Sequence, residues 1–255
     1  VKSLVEKKAN DMKWKQWLSV GLGLGLVACS GGGSADSGKI ERFGVDGESG
    51  IPAAVRVGGA GLVHTSQLFP KSAGEGEVPT AEQVGALLAE LEAILKGRGV
   101  GVEDVVKLNL YVSDPGDGVE VRSLVGRWFG QRAKPALTVV PTPLPRPGAK
   151  VALDAVAMAP ASEQLEGVEL WSDLQVEKER TFGGEALASV SGKGSQLIYV
   201  SGRAAKADDL REATQGTMEE LMAVLRFLGA RPGQVLQIKA FVNPMEEAAF
   251  AAEQI

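Results

Sequence analysis

The chain has 255 residues, 44% of them hydrophobic and 23% charged, with a formal net charge of -5. That balance argues against nucleic acid as a partner, because no basic stripe is available to neutralise phosphates. A single cysteine leaves no partner for an internal disulfide, and a single histidine, His64, removes most metal and triad chemistry, so neither a metal site nor a cofactor is expected.

In chain order, the first feature is "MKWKQWLSVGLGLGLVAC", in which two lysines precede an apolar stretch from Leu18 to Ala28 and then Cys29. This is the order of a secretory signal, and eleven residues at about 1.5 Å each span only about half of a hydrocarbon core of roughly 30 Å. Leu-Val-Ala-Cys resembles the lipobox of bacterial lipoproteins, which implies cleavage before Cys29 and lipidation of its thiol. Residues 1–28 are read as the signal peptide, with Met12 as the expected start and residues 1–11 upstream of it. Residues 29–50 are a lipidated tether, opened by the Gly/Ser run from Ser30 to Ser34. The resemblance implies a membrane contact through the lipid and a place in the cell envelope, on the periplasmic side of the outer membrane in a Gram-negative host.

Beyond the tether, "GLVHTSQLFP" is followed by a helical period. Val84, Leu87, Leu88, Leu91, Ile94 and Leu95 recur at helical spacing and predict an amphipathic helix over 81–95, with Thr80 as N-cap and Gly97 or Gly99 as stop. "VVKLNLYV" predicts a strand over 105–112, with Val106, Leu108, Leu110 and Val112 on one face and Lys107, Asn109 and Tyr111 on the other. A second helix follows over about 119–132, then strands near 137–140 and 151–158. The fold class is α+β, a mixed sheet with two helices packed on one face.

The same order recurs further on. At an offset of 130 residues Leu91 meets Leu221, Gly99 meets Gly229, Val105 meets Val235 and Val112 meets Val242. Two copies of one domain are expected, over 51–160 and 181–255, joined by a linker at 161–180. The second copy stops inside its second helix, so the chain is read as a fragment of a longer reading frame.

"VHTSQ", "YVSGR", "LLAELEAILKGRGVGVEDVVKLNLYVSD" and "KPALTVVPTPLPRPGAKVALDAVAMAP" together resemble the RidA family, also called YjgF-like, of reactive imine and enamine deaminases. The resemblance implies a chorismate-mutase-like fold in each copy and trimers, or a pseudo-trimeric packing of domains, with clefts for a small molecule between subunits. In those enzymes an arginine after a Pro-Ala pair clamps the substrate carboxylate; here Pro135-Ala136 is followed by Leu137. The glutamate that positions the attacking water is matched by Asp154, one carbon shorter and able to do the same acid/base work. Alternation sets Asp154 opposite the face of Leu153 and Ala155. Ser66 matches the serine of the family's Ser-Gly-Gln, with Gln67 in place of the glycine, and Arg122 is a further cation for the cleft. In the second copy Ser201 and Arg203 take the corresponding strand positions.

Two function classes stay open on these residues. One is an envelope imine or enamine deaminase with Asp154 as base and no family arginine. The other is a module that binds a small metabolite, or builds a trimeric scaffold, without chemistry.

Overall fold

The computed structural model describes residues 38–71, 78–159, 168–171, 188–192, 197–198, 200, 204–207 and 209–241. Cys29, Ser201 and Arg203 lie outside the described residues.

The described chain opens on a hairpin of β1 (Lys39–Val45) and β2 (Pro52–Gly58), turned at Gly50, whose φ of 67° suits glycine. Then follow β3 (Leu62–Thr65), α1 (Thr80–Lys96), β4 (Val105–Val112), α2 (Gly118–Phe129), β5 (Ala136–Pro141) and β6 (Val151–Met158). Beyond them lie β7 (Val168–Trp171), β8 (Ala188–Ser191) and α3 (Leu210–Phe227). A six-stranded sheet has the order β5-β4-β6-β3-β8-β7, with β4 and β5 parallel and the other pairs antiparallel. The parallel pair is joined through α2, as a parallel connection requires.

Both expected long strands have the bounds that alternation predicts, and α1 carries its apolar stripe into one core. Leu87, Leu88, Leu91 and Leu95 of α1 meet Val121, Val125 and Phe129 of α2 over Leu108, Leu110, Leu153 and Ala155 of the sheet. Burying each such side chain contributes about 1.5 to 3 kcal/mol, so this face holds the fold together. Gln83, buried in α1, donates from Nε2 to the Gly148 carbonyl at 2.9 Å and accepts from the Lys150 N–H at 2.8 Å, which ties α1 to the entry of β6.

Three local details differ from the sequence reading. Thr80 is not the N-cap of α1: Pro79 holds that position with no side-chain cap, and the Thr80 hydroxyl donates instead to Asp117 Oδ2 at 2.8 Å. Register shifts between Val105 and Lys107, so Val105 rather than Val106 joins the helix-side core. The second helix ends at Phe129, three residues early, because Gly130 turns the chain at a φ of 56°.

Gly61 lets β8 reach β3. A Cβ there would collide with the Ser191 carbonyl oxygen, while the Leu62 N–H donates to Ser191 Oγ at 3.0 Å.

Candidate functional site

The face of the sheet away from α1 and α2 carries polar groups where the other carries leucines and valines. Asp154 sits in the middle of β6, and its register partner on β4 is Asn109. Period-2 alternation brings Lys107, Asn109 and Tyr111 to the same side. Asn109 Nδ2 donates to Asp154 Oδ1 at 2.8 Å, and the Tyr111 hydroxyl donates to Oδ2 at 2.7 Å. The Tyr111 ring packs with Phe69, Ala149 and Ala152 in a small apolar cluster beside the carboxylate.

The edge of this site is shaped by a strand irregularity. His64 pairs with Val156 and Leu68 bridges to Leu153, so Thr65, Ser66 and Gln67 stand opposite only Asp154 and Ala155. The Ala155 N–H, lacking a regular ladder partner, donates to Thr65 Oγ1 at 2.9 Å. Ser66 is thereby held beside the Asp154 stretch of β6. Among the described residues its buried Oγ has no hydrogen-bond partner, and neither do the buried ring nitrogens of His64.

A second segment closes over Asp154 from far along the chain. Lys239 Nζ donates to Oδ1 at 2.9 Å and to Oδ2 at 3.1 Å, and it lies 3.4 Å from the Tyr111 oxygen. The side chains differ in exposure, at 37% for Lys239 and 4% for Asp154. Gln237 Nε2 donates to the Thr65 carbonyl at 2.9 Å, and Ser189 Oγ donates to the Leu236 carbonyl. Lys107 Nζ donates to Thr138 Oγ1 nearby.

The electrostatics follow from this crowding. Burial, and then the charge of Lys239, push the His64 imidazole below its ordinary pKa, with Asp154 pulling the other way. Lys107 is lowered likewise, first by burial and then by Lys239, against the opposing pull of Asp154. Burial first, then the Asp154 charge and its hydrogen bond, raise the Tyr111 phenol well above its usual range, so Tyr111 stays a donor. Among the described residues, the ammonium groups of Lys107 and Lys239 both act on the Asp154 carboxylate's surroundings. Among the described residues no group of three or more His, Cys, Asp or Glu is placed to hold a metal ion.

Of the residues singled out from the sequence, Asp154 is at the centre here, and Ser66 stands in the segment opposite Asp154 and Ala155. Leu137 does not join them: it packs against the helix-side core with Val139, on the opposite face from Asp154, because odd positions of β5 point toward α2. Arg122 stands exposed on α2, where its charge acts on Asp46. The partners that sequence reasoning left unassigned are Asn109, Tyr111, His64 and Lys239. Alternation along β4 already put the first two on one face. For Lys239 the signal in the sequence is its spacing, 130 residues after Asn109, the offset at which a second copy is expected.

Part of the chain is similar to known proteins. Residues 53–159 match the family model described as Endoribonuclease L-PSP, the RidA/YjgF group. Protein DfrA of Myxococcus xanthus is 32% identical over 77 residues, which are 30% of this chain and 58% of that protein. A RutC family protein of Synechocystis sp. is 32% identical over 87 residues, 34% of this chain and 65% of that protein. The chain thus spans less than two thirds of the length of these curated relatives. Among solved structures, a YjgF family member of Neisseria meningitidis is 27% identical, with 49% of this chain and 98% of that chain covered at a TM-score of 0.36. The YjgF gene product of E. coli is 28% identical, with 43% and 94% covered at a TM-score of 0.35. Residues 53–159, the stretch that the family model matches, fold here as an α+β unit.

Proposed function

We propose that the polar face of the 53–159 domain is a binding site for a small metabolite, with Asp154 at its centre, and that binding rather than turnover is its main role. The observation that carries this reading is the saturation of the carboxylate. Asp154 accepts from Asn109, Tyr111 and Lys239; a ligand that takes the place of Lys239 finds a carboxylate still held by the Asn109 and Tyr111 donors, which favour its ionised, ligand-accepting form over proton uptake from water. Leu137, at the position where the resemblance expects a carboxylate-clamping arginine, packs on the other face of the sheet.

A second reading is imine or enamine hydrolysis with Asp154 as base. It is favoured by the unpartnered Ser66 Oγ and His64 nitrogens, polar groups that a bound substrate or water satisfies. One experiment separates the two: a panel of small metabolites and imines followed both by thermal shift and by product formation, on the wild type and on Asp154→Asn. Binding without turnover, lost in Asp154→Asn, is expected. Turnover that Asp154→Asn abolishes makes the second reading the right one, and silence in both assays defeats the site.

The name of the matched family points to RNA cleavage, but the formal charge of -5 speaks against a phosphate-tracking surface. We infer further that residues 181–255 are a second, shorter copy after a linker at 161–180. Support comes from α3 beginning 130 residues after α1, and from the 3-10 turns Val102–Asp104 and Pro232–Gln234 keeping the same offset. Lipidation at Cys29 is proposed on the sequence alone. A fatty-acid label that marks the wild type and spares Cys29→Ser is expected; equal labelling of both defeats it.

A further inference from the structure

We propose that Asp154, Asn109 and Tyr111 form a receptor for a primary ammonium group, that Lys239 of the same chain occupies it, and that small ammonium compounds compete with Lys239 for it. The inference rests on reading Asp154 as a binding centre and adds the chemical class of the ligand.

Four observations carry it. The Lys239 nitrogen lies within hydrogen-bond distance of both carboxylate oxygens, at 2.9 and 3.1 Å, with the Tyr111 oxygen 3.4 Å away. Three acceptor atoms around one nitrogen match the three donors of a primary ammonium, whereas a planar guanidinium or a quaternary ammonium presents a different donor set. The receptor side is built: Asp154 is buried, and its remaining capacity is filled by Asn109 and Tyr111 from the neighbouring strand, which fixes the carboxylate whatever sits on it. Burial and the carboxylate keep Tyr111 protonated, so its hydrogen is committed to Asp154 and its oxygen is left to accept from the incoming cation. Finally, the occupant is displaceable. Lys239 belongs to a stretch, residues 235–241, with no helix or strand, its side chain is part exposed, and among the described residues its neighbours are tied by side-chain bonds from Gln237 to Thr65 and from Ser189 to Leu236.

Buried Asp154 without its cation is an uncompensated charge, which makes replacement by an external ammonium measurable. In the full chain, Lys239→Ala should melt roughly 5 °C lower than the wild type, and ethylammonium chloride should restore most of that loss. Sodium chloride and tetramethylammonium chloride at the same concentration should not. The restoration should vanish in Lys239→Ala combined with Asp154→Asn. If Lys239→Ala does not fold alone, its refolding yield with and without ethylammonium is the readout, and Lys239→Gln, which keeps a donor to the carboxylate, should fold and show weaker rescue. Equal recovery in all three salts, or recovery that survives Asp154→Asn, overturns the proposal. If panel ligands shift the wild type through Asp154 while ethylammonium rescues nothing, the binding reading stands and the ammonium receptor falls. If ethylammonium rescues selectively while no panel ligand binds, the receptor stands and the metabolite reading falls.

Discussion

His64 is the one histidine of the chain, is buried at 9% exposure, and has no partner at either ring nitrogen among the described residues. Its pKa is depressed from 6.5, first by burial and then by Lys239, against the pull of Asp154. The folded state therefore keeps a neutral imidazole while the unfolded chain takes a proton below about pH 6.5. This stability is present above that pH and is lost as the pH falls below it. Urea midpoints measured at pH 7.5 and pH 5 should drop on acidification in the wild type, and less so in His64→Gln. Parallel pH dependence in the two proteins would show that the imidazole accepts a proton in the folded state. Asp154 and Lys239 face His64 in the wild type and stay in place in His64→Gln, so the difference between the two proteins isolates the ring.

The helices divide sharply in what anchors them. α1 buries seven residues, Leu87 and Leu91 completely, whereas α3 buries none despite a sound N-cap, in which Asp209 accepts from the Glu212 N–H at 2.8 Å. Capping contributes about 1 kcal/mol and each buried leucine about 1.5 to 3 kcal/mol, so packing decides which helix opens first. Amide exchange should be at least about a hundredfold slower in α1 and β6 than in α3. Comparable protection in α3 would reveal a packing partner for it in solution. The same contrast explains how far the sequence could be read. Strands β4 and β6 and helix α1 announce themselves through local periods, and the grouping of Lys107, Asn109 and Tyr111 on one face follows from alternation alone. Parity along β5 likewise put Leu137 on the side of Val139 and away from Thr138, which a motif match disregards. The shift at Val105 is invisible because a bulge adds a residue without changing composition. Lys239 reaches Asp154 across 85 residues, and alternation tells which way a side chain points, never what arrives from that distance to meet it.

For the molecule as a whole, we propose association beyond a monomer, as a trimer of chains or as a pseudo-trimeric packing of domains. Its motive among the described residues is exposed apolar surface: Phe43 and Val45 on the β1–β2 hairpin, and Phe227 and Phe241 in the second half. Sedimentation of the chain from Ser37 onward should give a species heavier than one chain at micromolar concentration; a strict monomer there counts against it. No helix among the described residues is long and apolar enough to cross a membrane. The pairing of β3 with β8 also has a consequence in time. One side of β3 is covered by β6, but the other waits for a strand 129 residues further along, measured from Leu62 to Ser191. The rest of the sheet around β3 is complete only at Met158, so a ribosome at roughly 5 to 20 residues per second needs about 2 to 7 s to add the 33 residues from there to Ser191. Through that interval an otherwise folded domain shows a bare edge to its neighbours on the same message, so slow codons between 160 and 188 should lower the soluble yield without altering a single residue.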